Sequence, residues 1–228
     1  MRLKVCGMKY PDNIEQVASL QPDYLGFIFY EKSKRYFVEN NIPKLPNTIK
    51  KVGVFVDADI DMVIEKITIY NLQAVQLHGH ESPEYCKKLK RHYEFISESH
   101  DKNLKLVQIK DKIEIIKAFS IDESFNFDAL KPFEAVCDYF LFDTKGKLPG
   151  GNGYTFDWNV LKNYTLTKPF FLSGGIGLNE TEKVLSFLQK QESKYCYALD
   201  VNSQFEIEPG LKNIEELKEF KNQINAKH

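Results

Sequence analysis

The chain has 228 residues, of which 43% are hydrophobic and 28% are charged, a composition typical of a globular protein with a core of its own. Its 31 basic and 32 acidic residues nearly cancel, so the overall charge gives no sign of a nucleic-acid or membrane partner. A local basic patch is still compatible with this balance.

The cysteines and the first residues indicate the compartment. The four cysteines form no CxxC pair and no metal-ligand spacing, which favours reduced thiols; they are Cys6, Cys86, Cys137 and Cys196. The N-terminal segment turns polar at Lys9 without the hydrophobic region of a signal peptide. The longest apolar runs, such as Tyr24 to Tyr30, are too short to span a bilayer. We therefore expect a cytoplasmic protein without a membrane partner.

Short apolar runs alternate with amphipathic stretches along the chain. Most of these runs are nearly continuous rather than alternating, which is typical of strands covered on both faces in a parallel sheet. The predicted strands are Leu3–Cys6, Tyr24–Phe29, Lys51–Val56, Ala74–His78, Ile113–Ile121, Asp138–Thr144, Pro169–Ser173 and Tyr197–Val201.

Several connections carry helix signals. Asp12 with Glu15 resembles a capping box, and Ser82 before Pro83 is typical of an N-cap followed by proline in the first turn. Asn179 with Glu182 is expected to open a further helix. Apolar residues repeat at helical spacing in Ile60, Val63, Ile64 and Ile67, in Val184, Leu185 and Leu188, and in Ile214, Leu217 and Ile224.

Two regions interrupt this repeat. Pro43 and Pro46 lie in the second connection, residues 40–48, so its helix is expected to be short or broken. The stretch 92–112 is long and charged, and we interpret it as an insertion before the fifth strand. No linker rich in Pro, Gly or Ser divides the chain, so we expect one domain over residues 1–228.

Strands that alternate with helices predict βαβ units and an α/β fold with a parallel sheet. The number of strands favours a closed (β/α)8 TIM barrel over an open doubly wound sheet, although periodicity alone is compatible with a Rossmann-like order. The first strand is not followed by a GxGxxG sequence, which removes the usual dinucleotide fingerprint.

In such a barrel the active site lies where the strands end at their C-terminal edge. Gly174 and Gly175 follow the seventh strand and lead into a helix, so their N–H groups can approach an anion. Together with Asn202 and Ser203 after the eighth strand, which ends in Asp200 and Val201, they predict a phosphate site. For the glycine pair taken alone, a tight turn is the alternative.

Cys6 ends the first strand, directly before Gly7. A free cysteine is by default a small buried hydrophobe, but at a strand terminus it is also a candidate nucleophile or base. Lys4 faces the same side by strand alternation and could lower the pKa of the thiol. Position alone leaves both interpretations open.

Asp143 ends the sixth strand, after the apolar run 139–142. Such neighbours desolvate a carboxyl group and favour its protonated form, which suits a general acid. A carboxylate that caps nearby N–H groups is the alternative. The glycine-rich segment 145–153 is interpreted as a lid over the site, with a plain loop as its alternative.

Further polar residues follow the second and fourth strands. Arg35, beside Lys32 and Lys34, could bind a carboxylate through its guanidinium fork, although such a run of charges is more often a solvated face. Gln76 and His78 end the fourth strand, where the histidine could equally be a rim residue with structural hydrogen bonds.

In this order the motifs resemble those of the phosphoribosylanthranilate isomerases, barrel enzymes of tryptophan biosynthesis. Any one of them is weak evidence, but their collinear sum is specific and spans nearly the whole chain. The matching segments are Lys4–Met8, Gly26–Phe29, Ser33–Tyr36, Val75–Gly79, Ile116–Ala118, Phe142–Thr144, Gly151–Gly153, Phe156–Trp158, Leu172–Ile176 and Leu199–Ser203.

The resemblance implies an Amadori rearrangement, an aldose–ketose isomerisation, of N-(5-phosphoribosyl)anthranilate to 1-(2-carboxyphenylamino)-1-deoxyribulose 5-phosphate. It implies that Asp143 protonates the furanose oxygen, that Cys6 removes the proton from C2, and that Arg35 holds the anthranilate carboxylate. The remaining substrate-binding candidates are Gln76, His78, Gly174, Gly175, Asp200, Asn202 and Ser203. A small phosphorylated substrate, no metal, no cofactor, no nucleic acid, and a monomer or homodimer are expected.

The chain departs from the family pattern after the eighth strand. The family usually has glycine after the serine and then a PGxKD run, whereas this chain has Gln204 and the run Pro209–Asn213.

Three rival interpretations of the function remain. A histidine-pathway sugar isomerase would be expected to carry aspartate at Cys6, and an indole-forming synthase would need a lysine acid, for which Lys4 is the obvious candidate. A non-catalytic barrel that senses a phosphorylated ligand has no use for both Cys6 and Asp143.

Overall fold

The computed structural model describes residues 1–98, 112–144 and 155–226. Parallel strands β1 to β8 close into a barrel in chain order, which confirms the predicted (β/α)8 fold. Each predicted strand overlaps one observed strand. The barrel strands are β1 (Arg2–Val5), β2 (Tyr24–Ile28), β3 (Lys50–Phe55), β4 (Ala74–Leu77), β5 (Glu114–Ile121), β6 (Tyr139–Thr144), β7 (Phe170–Leu172) and β8 (Cys196–Val201).

The apolar strands are buried on both sides, and this explains their continuous hydrophobic runs. Alternate residues of a strand point to opposite faces, so one set fills the barrel and the other packs under the helices. In β6, Leu141 belongs to the inner core, while its neighbours Phe140 and Phe142 belong to the outer one. The inner core consists of Tyr24, Val52, Ala74, Ile116, Ala118, Leu141, Phe171 and Ala198.

The connections are less regular than the sequence suggests. In the described residues the α-helices are α1 (Pro11–Ser19), α2 (Ile60–Tyr70), α3 (Pro83–Glu98), α4 (Thr181–Leu188) and α5 (Ile214–Ala226). Short 3₁₀ helices, Phe127–Phe133 and Trp158–Asn163, follow β5 and β6. Between β2 and β3 no helix forms at all over residues 29–49, where Pro43 and Pro46 lack the N–H donors that a helix needs. The second helix is therefore absent rather than short.

The predicted helix starts are partly right. Ser82 accepts a hydrogen bond from the N–H of Tyr85 (3.2 Å) and α3 begins at Pro83, which confirms this N-cap. The capping box at Asp12 is wrong: α1 begins at Pro11, and its N-cap Tyr10 makes no side-chain hydrogen bond. Proline with its fixed φ starts this helix before Asp12 is reached.

The start of α4 also differs from the prediction. Asn179 falls inside a 3₁₀ turn, Leu178–Glu180, and α4 itself begins at Thr181. The carboxylate of Glu180, rather than that of Glu182, accepts from the backbone N–H of Gly177 (2.9 Å). The extra turn already gives the backbone N–H of Gly177 an acceptor, so the helix needs no cap at Asn179.

Two interpreted segments lie largely beyond these ranges. Residues 92–98 of the supposed insertion continue α3, so that part of the interpretation is wrong. Residues 99–111 of the supposed insertion and the whole lid at 145–153 lie outside the described residues. In the parts of the chain that are described, none of the helices combines the length and apolar character that crossing a membrane requires.

Two short strands, β9 (Glu206–Glu208) and β10 (Leu211–Lys212), form an antiparallel hairpin after β8. The register places Lys212 opposite Glu206. Opposite charges at facing positions stabilise such a pair of strands. The hairpin lies next to α1, where the side-chain amide of Asn13 donates to the carbonyl of Lys212 (3.0 Å).

Candidate active site

The predicted site residues converge on one cavity at the C-terminal end of the barrel, although they come from six different strands or the loops that follow them. The empty space in and in front of this cavity, open solvent at its mouth included, is about 720 Å³. Parallel strands of a closed barrel end at the same rim, which brings residues far apart in sequence together. The predicted residues that line it are Cys6, Arg35, Gln76, His78, Asp143, Gly174, Gly175, Asp200, Asn202 and Ser203.

Cys6 sits at the floor of this cavity. It directly follows β1, and its N–H donates to the carbonyl of Val201 (2.8 Å), which continues the pairing of β1 with β8. The residue is 4% exposed and belongs to neither hydrophobic core. A Cβ atom at Gly26 would lie 2.8 Å from the Cys6 sulfur, so the glycine on β2 leaves room for the thiol.

Burial first, and then the charges of nearby residues, determine the pKa of the Cys6 thiol. Lys4 is fully buried, and its Nζ lies 2.6 Å from Oδ1 of Asp200. Burial raises the pKa of the Cys6 thiol and Asp200 acts in the same direction, while the cations Lys4 and Lys212 oppose them. The net pKa is raised. Lys4 by itself lowers the pKa of the Cys6 thiol, as expected, but the combined effect of burial and all nearby charges raises that pKa.

Asp143 lines the same cavity as Cys6, at the end of β6, and is 5% exposed. Its Oδ1 accepts from the N–H of Thr144 (2.9 Å), and its Oδ2 lies 3.4 Å from Nε2 of His78. The other ring nitrogen of His78, Nδ1, lies 2.9 Å from Nε2 of Gln76. One carboxylate oxygen thus caps the backbone, as the structural alternative predicts, and the other faces the histidine.

Gln76 carries an unused acceptor. Its Oε1 is buried in the cavity wall and has no hydrogen-bond partner among the described residues. Buried polar atoms are almost always paired, so an orphan in a cavity wall is available to a ligand. In those same residues, no group of three or more His, Cys, Asp or Glu side chains is placed to hold a metal ion.

The loop after β7 has the geometry of an anion site. Gly174 and Gly175 have φ angles of +91° and +66°, in the region that favours glycine. A Cβ atom at Gly174 would lie 2.6 Å from the backbone nitrogen of Thr144, so no larger residue fits there. Neither glycine N–H has a hydrogen-bond acceptor among the described residues. Such free N–H groups at the start of a helix bind phosphate in many proteins.

The loop after β8 completes this side of the cavity. Ser203 begins a 3₁₀ turn, Ser203–Phe205, and Asn202 precedes it. Gln204, which departs from the family pattern, also lines the cavity. A Cβ atom at Gly177 would lie 2.9 Å from Cβ of Gln204, so the two loops contact each other at this point.

Sequence reasoning missed the ion pairs behind Arg35. The guanidinium donates to Glu206, with Nε 2.8 Å from Oε1 and Nη2 2.6 Å from Oε2. Oε1 of Glu206 also accepts from Nζ of Lys212 (2.7 Å). The signal was present in the sequence, since opposite charges flank the Pro209–Gly210 turn of the hairpin, but the run was read only as a departure from a pattern.

Comparisons with known proteins agree on one family. A model of the family described as N-(5'phosphoribosyl)anthranilate (PRA) isomerase matches residues 3–107 and 97–223. The chain is 43% identical over 231 residues to the N-(5'-phosphoribosyl)anthranilate isomerase of Parabacteroides distasonis, covering 98% of this chain and 93% of that protein. The fold resembles the phosphoribosyl anthranilate isomerase of Thermus thermophilus, with a TM-score of 0.77 and 24% identity over 100% of both chains. It also resembles a phosphoribosyl anthranilate isomerase in complex with reduced 1-(o-carboxyphenylamino)-1-deoxyribulose 5-phosphate, with a TM-score of 0.70 and 24% identity over 99% of both chains.

Proposed function

Because this chain belongs to the family of N-(5'-phosphoribosyl)anthranilate isomerases, we propose that Cys6 and Asp143 carry out the proton transfers of the family's reaction. That reaction is an aldose–ketose isomerisation in tryptophan biosynthesis, in which no atom is gained or lost overall. Opening of the sugar ring gives an iminium at C1, and loss of the C2 proton gives an enolamine that tautomerises to the ketone. The single observation that supports the assignment is that both side chains line one cavity, from strands that lie three places apart around the barrel.

Asp143 is the proposed acid for ring opening. Its Oδ1 is engaged by the N–H of Thr144, so Oδ2 is the oxygen left to deliver a proton to the ring oxygen of the sugar. His78 lies beside Oδ2, and Gln76 holds the other side of the imidazole ring. These two residues therefore orient the acid, as supporting groups commonly do for catalytic side chains.

Cys6 is the proposed base for the C2 proton. It must act as the thiolate, and in the free protein burial raises the pKa of the thiol. Ring opening produces a cationic iminium next to C2, and a nearby positive charge favours the thiolate. The thiolate form is thus favoured at the step that needs it. Lys4 and Lys212 act on the thiol in the same direction.

The two anionic ends of the substrate orient the sugar between acid and base. The free N–H groups of Gly174 and Gly175, with Asn202 and Ser203, are proposed to hold the phosphate. Arg35 is proposed to hold the anthranilate carboxylate. A substrate fixed at both ends is positioned for proton transfer on both faces of the sugar.

Two acceptors are proposed to bind the sugar hydroxyls. Gln76 offers its unpaired Oε1, and Asp200 lines the cavity while it pairs with Lys4 and accepts from the hydroxyl of Ser173 (3.2 Å). Lys4 itself does not line the cavity and is neutralised by Asp200, which weighs against the indole-forming synthase.

The compartment and assembly remain proposals. All four cysteines are free thiols, which suits the reducing cytoplasm. We propose that the enzyme acts there as a monomer or homodimer, as one barrel domain over residues 1–228, on a small phosphorylated substrate.

The direct test is turnover of freshly prepared phosphoribosylanthranilate by the purified chain, followed by the loss of its fluorescence. We expect saturable kinetics with kcat on the order of 1–10³ s⁻¹. The aldose substrate of the histidine-pathway isomerase is the comparison compound and is expected to react far more slowly. Tight binding of phosphoribosylanthranilate without any turnover would instead indicate a non-catalytic sensor.

Substitution of Arg35 by alanine is expected to raise KM by about tenfold to a hundredfold and to change kcat by less than about threefold. The guanidinium fork contacts a carboxylate that does not react, so its loss weakens ground state and transition state alike. Steady-state kinetics provide the measurement, and Lys34→Ala, which removes the exposed cation beside it, is the matched control. An unchanged KM in Arg35→Ala would show that the carboxylate binds elsewhere.

A further inference from the structure

Arg35 presents only part of its guanidinium group to Glu206. An arginine carries five N–H donors in one plane. The side edge, formed by Nε and Nη2, contacts the two oxygens of Glu206. The end edge, formed by Nη1 and the outer N–H of Nη2, has no acceptor among the described residues, and Arg35 lines the cavity. The edge that matches a second carboxylate is therefore free.

The side chain of Glu206 is buried and accepts hydrogen bonds from several donors of the protein. Its side chain is 4% exposed, and Oε1 accepts from Nζ of Lys212 (2.7 Å) and from the N–H of Gly210 (3.1 Å). Burial by itself would raise the pKa of Glu206, but the hydrogen bond from Arg35 and the charge of Lys212 hold that pKa below its ordinary value. Glu206 thus stays ionised and fixed in place.

Lys212 anchors this carboxylate to the rim of the cavity. Its side chain is completely buried, and its Nζ also donates to Oδ1 of Asn202 (2.7 Å). Asn202 in turn lies against Gly7, where an added Cβ would be 2.6 Å from its Oδ1 and 2.8 Å from Cδ of Arg35. The hairpin β9–β10 is thereby connected to the loops that follow β1, β2 and β8.

The cluster formed by Arg35, Glu206 and Lys212 has a net positive charge that one more anion could neutralise. Arg35 and Lys212 are both cations, and within residues 1–98, 112–144 and 155–226 Glu206 is the one carboxylate that contacts them. One positive charge is therefore left without a partner within the cluster, at the wall of the cavity. Burying an uncompensated charge is costly, and a bound monoanionic carboxylate would neutralise it.

We propose that Glu206 and Lys212 are positioning residues for the carboxylate site: Lys212 fixes Glu206, and Glu206 turns Arg35 so that its free edge faces the substrate carboxylate. The inference rests on the proposed function, since it takes Arg35 as the group that binds the anthranilate moiety. It gives the β9–β10 hairpin a role in specificity, namely selection of an aryl substituent that carries a carboxylate.

The test uses Glu206→Gln, which keeps the shape of the side chain and removes its charge. We expect the KM for phosphoribosylanthranilate and the inhibition constant of free anthranilate each to rise about tenfold. We expect kcat to change by less than about threefold, and the inhibition constant of inorganic phosphate to stay unchanged. Glu206→Asp, which retains a carboxylate, is expected to recover part of the affinity.

The same substitution is then made in Arg35→Ala. If Glu206 acts through Arg35, Glu206→Gln adds no further loss of anthranilate binding in that background. A full additional loss there, or an equal loss of phosphate inhibition, would mean a general structural role and would overturn the inference. If Arg35→Ala alone leaves anthranilate inhibition unchanged, the carboxylate assignment of Arg35 fails and the inference fails with it.

Thermal unfolding of each variant shows whether it is folded under the assay conditions. Should Glu206→Gln fail to fold, Glu206→Asp replaces it in the same comparison. A shorter carboxylate shifts the guanidinium, so a selective rise of the anthranilate inhibition constant is still expected. An inhibition constant within twofold of that of the wild type would then contradict the inference.

Discussion

Replacement of Asp143 by asparagine is expected to lower kcat by about 10²- to 10⁴-fold while KM changes by less than about threefold. An amide has no carboxyl proton to give to the ring oxygen of the sugar. Its carbonyl can still accept from the N–H of Thr144, so the local structure should be retained. The expected loss therefore appears in the chemical step and not in substrate binding.

Steady-state kinetics and thermal unfolding of the same preparation test this expectation. Asp128→Asn is the matched control, because Asp128 is an exposed aspartate that pairs only with the exposed Lys131 among the described residues (2.7 Å). It should leave kcat and KM unchanged. Turnover by Asp143→Asn close to that of the wild type would show that another group opens the ring.

Replacement of Cys6 by serine is expected to lower kcat by a similar factor, about 10²- to 10⁴-fold, with little change in KM. A hydroxyl group occupies nearly the same space as the thiol but ionises far less readily, so the base is lost while the packing against Gly26 remains. Cys196→Ser is the control, since Cys196 begins β8 at the opposite end of the barrel. Retention of wild-type turnover by Cys6→Ser would exclude the thiol as the base.

The pH profile gives an independent reading of the same thiol. Burial raises the pKa of Cys6, and the thiolate is the active form, so kcat should rise with pH through the range above neutrality. This rising limb should be absent in Cys6→Ser. Burial also lowers the pKa of Lys212 to about 8, so this cation loses its charge in the same range. That loss weakens the support of Arg35 and should appear as a higher KM, which separates it from the effect on kcat.

The helical connections show where local sequence signals fail. Pro11 starts α1 ahead of the supposed capping box at Asp12, and the turn before α4 satisfies Gly177 without Asn179. In both places a pair of residues favours a helix start. A neighbouring residue, Pro11 before α1 and Glu180 before α4, starts the helical segment or pairs with its backbone instead. Helix ends depend on which of several local partners wins, and spacing alone does not decide this.

The sequence by itself determined the strands of the barrel and the residue that stands at the end of each. Burial on both faces makes every strand an apolar run, and the chain direction shared by parallel strands puts their last residues on one rim. Cys6, Arg35, Asp143 and Gly174 could therefore be proposed as site residues from local patterns, and all four line one cavity.

Only the tertiary structure decided which charges meet. Lys4 was expected to act on the thiol and does so, but it also pairs with Asp200, 196 residues away along the chain. Arg35 was expected to bind the carboxylate of a substrate, but its guanidinium already contacts a carboxylate of the protein, that of Glu206, 171 residues away. The net charge beside a buried group depends on distances of a few ångströms between side chains from different strands. Closure of the barrel sets these distances, and no local pattern of residues contains them.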